Sequence, residues 1–375
     1  MSQVLLAGDL SVRDPGDDAL VSAFARGLPE HELVLLTSGP GERRNHRGQS
    51  VVSLRDRSRV LSALRRAQIL ILGDGVLHGS PRASRGGDHI REGLRLGLVA
   101  KALGRRVALL GVGAGALERR TDRTRASLLV RLSDLLILRD PATADVLAAA
   151  GAPGPFRVAA DPAWWAIDTT VAPARQRNGV MVILDANTMV RTPALAARLT
   201  AACDRLAAGG LRVSLAPWRV GLTGTDDLDL ARAVVAGMSM GARARVLLPP
   251  ADLSETRAQA ARAQVVLGLR RHALIVAASV GTPAVAVAAD HETASLARRL
   301  GQLPLTADAA PTVIAATVSA AIGHRPAGPG AVARERAAAQ EAFRLLRLLL
   351  EADRSEEDRR LGALPLMPDL SVRAR

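Results

Sequence analysis

The sequence is poor in the residues from which several common kinds of site are built. Cys203 is the only cysteine among 375 residues, so the chain can form neither an internal disulfide framework nor a thiolate metal cluster. Aromatic residues make up 2% of the chain and tyrosine is absent, which leaves almost no stacking platforms for bases. Uncharged apolar runs of about 18 residues, the length that a membrane-spanning helix needs, are also absent.

Almost all of the positive charge of the chain is carried by arginine. The formal net charge is +14, and Lys101 is the only lysine. The arginines are spread over most of the predicted helices, which favours a solvated surface with attraction to anionic substrates or membrane headgroups and disfavours nucleic-acid binding. The N-terminus enters a predicted strand at Val4 without the basic start and cleavage site of a signal peptide. We therefore expect a cytoplasmic protein, with a location at the inner face of the membrane left open.

Short apolar runs alternate with amphipathic stretches in both halves of the chain. This alternation predicts right-handed crossovers and parallel sheets, which is the α/β class. The predicted strands are Val4–Ala7, Leu33–Thr37, Val51–Leu54, Ile69–Leu72, Val107–Gly111, Leu135–Leu138 and Arg157–Ala160, then Val180–Leu184, Arg212–Ala216, Val246–Leu248, Val265–Gly268 and Ala284–Val287.

A break in this alternation at Val171–Gly179 predicts a linker between two domains. We predict a Rossmann-like domain over residues 1–172, a second one over 179–325, a long helix over 331–352 and a polar tail over 353–375. Two doubly wound domains of this kind, with a terminal helix that crosses back, suggest a glycosyltransferase-B-like fold. The binding site is then expected in the cleft between the two halves.

One stretch concentrates charge where such folds bind ligands. The predicted strand Val265–Gly268 ends just before Arg270, Arg271 and His272, and a predicted helix follows them. Ligands bind at the carboxyl ends of parallel strands, where the N-terminus of the next helix favours anions. The stretch therefore predicts a cationic corner suited to a small dianion. The alternative, that the arginines merely solvate a strand end, is less favoured.

Two glycine-rich loops follow other predicted strands. Gly73, Asp74 and Gly75 allow close approach of the backbone to a substrate, whereas His78 by itself is more typical of a loop histidine. Gly113 and Gly115 fit a tight turn and a substrate contact about equally well. The first loop lacks the dinucleotide-binding fingerprint and the second lacks the end of a P-loop.

Carboxylates and an arginine complete the candidate residues. Asp14 and Asp17 follow the first predicted strand, and the choice between helix capping and a place in the cleft is open for both. Arg139 lies at the end of a predicted strand of the first sheet, where we expect it to face the cationic corner. Asp161 fits either a helix cap or a binding residue.

The order of these motifs resembles that of the polysaccharide pyruvyl transferase family, from Val4 to Leu300. The motifs are Gly16-Asp17, the glycine run Gly73–Leu77, Gly113-Ala114-Gly115, Arg139-Asp140, Asp161-Pro162-Ala163, Arg270-Arg271-His272-Ala273 and Gly281-Thr282-Pro283. The resemblance implies a glycosyltransferase-B-like fold and transfer of pyruvate from phosphoenolpyruvate to a sugar, forming a ketal and releasing phosphate. It implies that the N-terminal domain is the acceptor side and the C-terminal domain the donor side.

By position, the resemblance makes Arg139, Arg270 and His272 donor-binding residues, and we add Arg271 beside them. The chain departs from the family's pattern at three positions. Asp74 stands where the family usually has glycine, Arg271 where it has leucine and Asp14 where it has asparagine. These departures leave the acceptor open.

The residue types suit this chemistry without the resemblance. Arginine forks match the carboxylate and the phosphate of phosphoenolpyruvate. His272 is the candidate general acid or phosphate ligand, and Asp14, Asp17 or Asp74 is the candidate base toward a sugar hydroxyl. We expect no metal and no cofactor, since phosphoenolpyruvate is itself the donor.

The expected partners are phosphoenolpyruvate and a glycan or lipid-linked sugar, with peripheral contact to a membrane surface left open and no nucleic acid. Two alternatives remain. A nucleotide-sugar glycosyltransferase would use the corner to hold a pyrophosphate, and a non-catalytic binding protein would retain the scaffold alone. The acceptor sugar and the oligomeric state are not evident from the residues.

Overall fold

The computed structural model describes residues 2–10, 14–38, 48–79, 89–167, 176–220, 226–324 and 327–351. The tail predicted over 353–375 lies outside the described residues, as does most of the predicted linker 171–179. The domain boundaries therefore stay predictions. Within the described ranges, no helix is long and apolar enough to cross a bilayer.

The N-terminal sheet has seven parallel strands among the described residues, in the order β3-β2-β1-β4-β5-β6-β7. They are β1 (Gln3–Ala7), β2 (Glu32–Thr37), β3 (Ser50–Ser53), β4 (Ala67–Leu72), β5 (Arg106–Val112), β6 (Leu135–Leu138) and β7 (Arg157–Val158). Helices α2 (Arg57–Arg66), α3 (His89–Ala102), α4 (Arg120–Leu132) and α5 (Pro141–Ala149) pack on one face. Helices α1 (Pro15–Gly27) and α6 (Ala163–Ala166) pack on the other.

Burial on both faces explains why the strands are such continuous apolar runs. In β4, Ile69 and Ile71 join the core beneath α1, whereas Leu70 and Leu72 join the core beneath α3 and α4. A strand covered by helices on both sides gains from an apolar residue at every position, so the runs do not alternate with polar residues.

The C-terminal sheet has six parallel strands among the described residues, in the order β10-β9-β8-β11-β12-β13. They are β8 (Val180–Ile183), β9 (Val213–Ala216), β10 (Ala244–Val246), β11 (Val265–Gly268), β12 (Ala284–Ala288) and β13 (Leu303–Thr306). The helices of this half are α7 (Ala186–Arg191), α8 (Pro193–Ala208), α9 (Asp227–Ala236), α10 (Leu253–Ala261), α11 (Arg271–Ser279), α12 (His291–Arg299) and α13 (Pro311–Ala321).

The last helix, α14 (Pro329–Glu351), bridges the two halves. Near its start, Glu335 accepts a hydrogen bond from Arg299 of α12 at 2.8 Å. Further along, Phe343 packs edge-on against Phe24 of α1, with ring centroids 5.2 Å apart. At its end, the Leu349 carbonyl accepts a hydrogen bond from Arg106 of β5. The predicted long helix is thus present, and it ties the N-terminal sheet to the C-terminal one.

The sequence pattern missed helices α6, α7 and α13 and strand β13. Helix α6 and helix α7 are short, and β13 contains Pro304, a residue that argues against a strand except at an edge, which is where β13 lies. Helix α13 is apolar over most of its length, so it lacks the amphipathic period that predicts a helix. Helix α1 begins at Pro15, because Pro15 takes the first helical position after Asp14.

Candidate functional site

The stretch that contains Arg270, Arg271 and His272 joins β11 directly to α11. The strand ends at Gly268 and the helix begins at Arg271, with Arg270 as the preceding cap residue. The N-terminus of α1 lies against His272, because a Cβ atom placed on Gly16 would sit 2.2 Å from the Nδ1 atom of His272. The carboxyl end of the C-terminal sheet therefore faces the N-terminal domain, and His272 lies at the contact.

All three nitrogens of the Arg270 guanidinium donate hydrogen bonds, and one of these bonds reaches the N-terminal half. Its Nε atom donates to the Leu184 carbonyl at 2.8 Å, and its Nη2 atom donates to Asp227 at 2.6 Å. Its Nη1 atom donates across the cleft to Asp14 at 2.9 Å. Asp14 also caps α1 by accepting a hydrogen bond from the Gly16 amide at 2.8 Å. Asp14 thus serves as a cap and as a cleft residue at once.

Arg271 makes an equally complete set of contacts with the N-terminal domain. Its Nε atom donates to Asp161 at 2.8 Å, and its Nη2 atom donates to Asp74 at 2.7 Å. The same Nη2 atom lies 3.2 Å from Nε2 of His272, and that ring nitrogen lies 3.6 Å from Asp161. Arg271 and Asp74, two positions where the chain departs from the family's pattern, are therefore partners.

Arg139 reaches the cleft from the end of β6 but is 2% exposed. Its Nη1 atom donates to Asp74 at 2.6 Å, and its Nη2 atom donates to Glu292 in the first turn of α12. A side chain at Gly113 would fill the space of this guanidinium, since its Cβ would lie 2.0 Å from Nη2 of Arg139. The glycine loop after β5 therefore makes room for Arg139.

These contacts form one cluster, which we call the cleft network. Its members are Asp14, Asp74, Arg139, Asp161, Arg270, Arg271, His272 and Glu292. In the structure the predicted cationic corner is paired, since four carboxylates face three guanidiniums and one imidazole. Each guanidinium is bound by carboxylates, at least one of them from the opposite sheet, because a buried charge without a partner is costly.

The remaining predicted residues lie around the network. His78 is placed with its Nε2 atom 3.6 Å from Glu292, and Gly115 lies beside its ring. Gly73 donates its amide to the Ala7 carbonyl at 2.8 Å, and Gly75 has a φ of +78°, a conformation that favours glycine. Asp17 is buried in the first turn of α1. The structure thus brings every predicted site residue to one region, while their roles stay predictions.

Sequence reasoning missed four charged residues of this region: Asp185, Arg219, Asp227 and Glu292. Arg219 follows β9 and lies 3.3 Å from Asp14, and Asp227 accepts hydrogen bonds from the amides of Ala186 and Arg219 at 2.9 Å each. Asp185 and Glu292 come shortly after β8 and β12. The strand-end rule, applied to every predicted strand, would have found all except Asp227.

The arginines keep the carboxylates of the network ionised. Burial by itself would raise the pKa of Asp74, but Arg139 and Arg271 hold that pKa well below its ordinary value. Burial likewise opposes ionisation of Glu292, yet Arg139 and His78 lower its pKa to about 2. The pKa of Asp14 is also lowered, by Arg270 and Arg219, against the effect of burial. These groups are acceptors and counterions rather than proton carriers at neutral pH.

The pKa of His78 shifts in the opposite direction. Burial lowers the pKa of a histidine, but the contact with Glu292 outweighs it and raises the pKa of His78. The side chains of Arg270, Arg271 and His272 still reach solvent, with 11 to 13% of each exposed. Across the described residues, no group of histidine, cysteine and carboxylate side chains is arranged to hold a metal ion.

Comparison with known proteins gives one family and one fold. The family described as polysaccharide pyruvyl transferase matches residues 15–291, more than half of the chain. No curated protein sequence matches. Among solved structures, the chain is similar to the S. aureus MnaA–UDP complex, with a TM-score of 0.61 and 10% identity over 93% of this chain and 96% of that one.

Two further structures agree with this fold. The structure of Anabaena Alr3699/HepE with UDP-glucose has a TM-score of 0.59 and 14% identity, over 96% of this chain and 100% of that one. The UDP-GlcNAc 2-epimerase from Methanocaldococcus jannaschii has a TM-score of 0.59 and 10% identity, over 94% of this chain and 100% of that one. These likenesses confirm the predicted glycosyltransferase-B-like fold and concern the fold alone.

Proposed function

The chain belongs to the polysaccharide pyruvyl transferase family, and from this premise we propose that it transfers pyruvate from phosphoenolpyruvate to a sugar of a cell-surface polysaccharide or its precursor. The products are a pyruvate ketal and phosphate. The observation that supports this best is the placement of Arg270, Arg271 and His272 at the carboxyl end of β11, facing the N-terminal sheet. Guanidinium forks there match the carboxylate and the phosphate of the donor.

His272 is the proposed general acid. The contact with Gly16 and the neighbouring groups Asp161 and Arg271 fix its ring at the cleft surface. In the proposed reaction, His272 gives a proton to the methylene carbon of phosphoenolpyruvate, which becomes the methyl group of the ketal. A sugar hydroxyl then bonds to the adjacent carbon and gives its proton to the proposed base. The bond from that carbon to the phosphate oxygen breaks, and this proton leaves with the phosphate. The second hydroxyl bonds to the same carbon, gives its proton to His272, which is thereby restored as an acid, and closes the ketal.

We assign different roles to Asp14 and Asp17, the two candidate bases of the first loop. Asp14 binds Arg270 and caps α1, and its pKa is lowered by Arg270 and Arg219 against the opposing effect of burial. A carboxylate with a lowered pKa is a weak base, so we assign Asp14 to positioning Arg270. Asp17, one residue after Gly16, stays the proposed base toward a sugar hydroxyl. The reaction is redox-neutral, and phosphoenolpyruvate as donor supplies the transferred group.

The proposed acceptor is a glycan or a lipid-linked sugar, bound on the side of the N-terminal domain. The glycine loop at Gly73 and Gly75, with His78, lies next to the cleft network from that side. A nucleotide-sugar transferase on the same fold is the alternative, since similar solved structures contain UDP or UDP-glucose. With 10 to 14% identity, those structures support the shared fold and not the ligand.

The test is phosphate release from phosphoenolpyruvate in the presence of sugar, sugar-nucleotide and lipid-linked sugar acceptors. We expect release that depends on an acceptor, and a loss of about 100-fold or more in His272→Asn because a general acid contributes that much. His324→Asn, at an exposed histidine on the loop after α13, is the matched control. Turnover of a nucleotide sugar without phosphate release from phosphoenolpyruvate would contradict the proposal.

A further inference from the structure

The carboxylates that bind Arg139, Arg270 and Arg271 differ in what holds them. Asp14 caps α1, and Asp161 accepts a hydrogen bond from the Ala163 amide at 3.0 Å. Asp227 accepts from the Ala186 and Arg219 amides at 2.9 Å each. These three groups support the backbone of loops and helix starts, so they cannot leave their arginines without local rearrangement. A ligand anion that approaches the arginines cannot readily replace them.

Glu292 pairs with the side chains of Arg139 and His78 and is 6% exposed. Asp74 differs from these four groups in being the most exposed. Its backbone partner is the amide of the adjacent Gly75, at 2.9 Å from Oδ1, and its side chain is 16% exposed. The backbone of Asp74 is fixed separately, because its carbonyl accepts a hydrogen bond from the Asp9 amide at 2.8 Å. Rotation of the side chain alone would therefore release Nη1 of Arg139 and Nη2 of Arg271 from Asp74 while the loop stays in place. The other contacts of the two arginines, with Glu292 and Asp161, would remain.

The two oxygens of Asp74 bind one guanidinium each. Oδ1 accepts from Arg139 of the N-terminal half at 2.6 Å, and Oδ2 accepts from Arg271 of the C-terminal half at 2.7 Å. A carboxylate bridging two guanidiniums is the arrangement that the carboxylate or phosphate of a small ligand takes in a binding site. The side chain of Asp74 thus occupies, from within the protein, a position suited to an anionic ligand.

We propose that Asp74 is a specificity-determining residue that acts as an internal competitor, so that a small anion binds between Arg139 and Arg271 only by displacing its carboxylate. Arg271, like Asp74, is a departure from the family's pattern. It supplies one of the two guanidiniums and neutralises Asp74 when no ligand is bound. For inorganic phosphate the inference stands on the network alone. For phosphoenolpyruvate it rests on the proposed function.

The test measures the affinity of wild type and Asp74→Asn for inorganic phosphate and for phosphoenolpyruvate by isothermal titration calorimetry. Removing a like charge from the anion position is expected to lower the Kd for phosphate by about tenfold or more. Asp145→Asn, which removes an exposed carboxylate on α5, is the matched control and is expected to leave the Kd unchanged. Equal phosphate affinity in wild type and Asp74→Asn would overturn the inference, and so would absence of binding to both.

Two further measurements keep the test decisive. If Asp74→Asn is poorly folded, phosphate is expected to raise its melting temperature more than that of wild type, because the anion replaces the lost carboxylate. An equal rise in both would count against the inference. In Asp74→Asn/Arg271→Leu the gain in phosphate affinity is expected to disappear. If Asp74→Asn gains affinity for phosphate but not for phosphoenolpyruvate, the inference on Asp74 holds and the proposed donor is wrong.

Discussion

His272 owes its position to the absence of a side chain at Gly16. The α1 N-terminus approaches the imidazole so closely that a methyl group at residue 16 would overlap its Nδ1 atom. Since Asp14 caps the same helix and binds Arg270, the first loop sets the place of both a histidine and an arginine of the C-terminal half. Small changes in this loop should therefore act on chemistry in the other half of the molecule.

Gly16→Ala tests this directly. The added Cβ would lie 2.2 Å from Nδ1 of His272, so the ring has to move, and a displaced catalytic group loses rate steeply. We expect phosphate release from phosphoenolpyruvate to fall by about 100-fold, with a folded protein by circular dichroism. Gly323→Ala is the control, since no heavy atom of the described residues lies within 4 Å of its Cβ position. Wild-type kcat in Gly16→Ala would disprove this role of the glycine.

The positions of the cationic site residues could be predicted from the sequence, but their pairing with carboxylates could not. Arg139, Arg270, Arg271 and His272 follow predicted strands, and the rule that strand ends form the site applies to each of them. Their carboxylate partners are far away in the chain: Asp14 is 256 residues from Arg270. No local pattern connects residues so far apart, so the sequence predicts the cationic corner and not the carboxylates that bind it.

At the scale of elements, α14 holds the two halves in register. Its Phe343 packs on Phe24 of α1 and its Glu335 pairs with Arg299 of α12, so the helix contacts an element from each side of the cleft. The amphipathic leucine pattern predicted this helix from sequence. The residues that α14 packs against could not be predicted from its own pattern. The contact of Phe343 with α1 needs the space left by the absence of a side chain at Gly27, where a Cβ would lie 2.3 Å from the phenylalanine ring.

Phe343→Ala should therefore destabilise the whole protein. The side chain is fully buried against Phe24 and Trp165, and loss of such a phenylalanine costs about 3–5 kcal/mol of unfolding free energy. Urea denaturation followed by circular dichroism measures this loss. Arg344→Ala, at the next and half-exposed position, is the control and should cost under about 1 kcal/mol. Equal stability of the two variants would mean that α14 is not docked through Phe343.

At the scale of the whole molecule, the cleft network joins the two sheets by buried ion pairs. Arg139 and Glu292 pair across the cleft in one direction, and Arg270 and Asp14 pair in the other. Breaking a buried pair leaves a charge without a partner, which is strongly destabilising. The association of the two halves is therefore expected to depend on ionised carboxylates.

The stability that the ionised Glu292 contributes is lost as the pH falls. The pKa of Glu292 is about 2 in the folded protein, against 4.5 for an unperturbed glutamate, since Arg139 outweighs burial. A lowered pKa contributes stability that is fully present above about pH 4.5 and is lost as pH falls toward 2. A shift of this size corresponds to about 3 kcal/mol at most for the one group.

Glu292→Gln should remove that part of the acid sensitivity. We expect the variant to be less stable than wild type at pH 7, because Arg139 loses an ionised partner, and to lose less further stability between pH 4.5 and 2. Urea denaturation across this range measures both effects, and Glu30→Gln, at an exposed position in the turn after α1, is the control. An unchanged pH dependence in Glu292→Gln would show that the ion pair does not hold the two sheets together, since the glutamate would then titrate alike in the folded and unfolded chains.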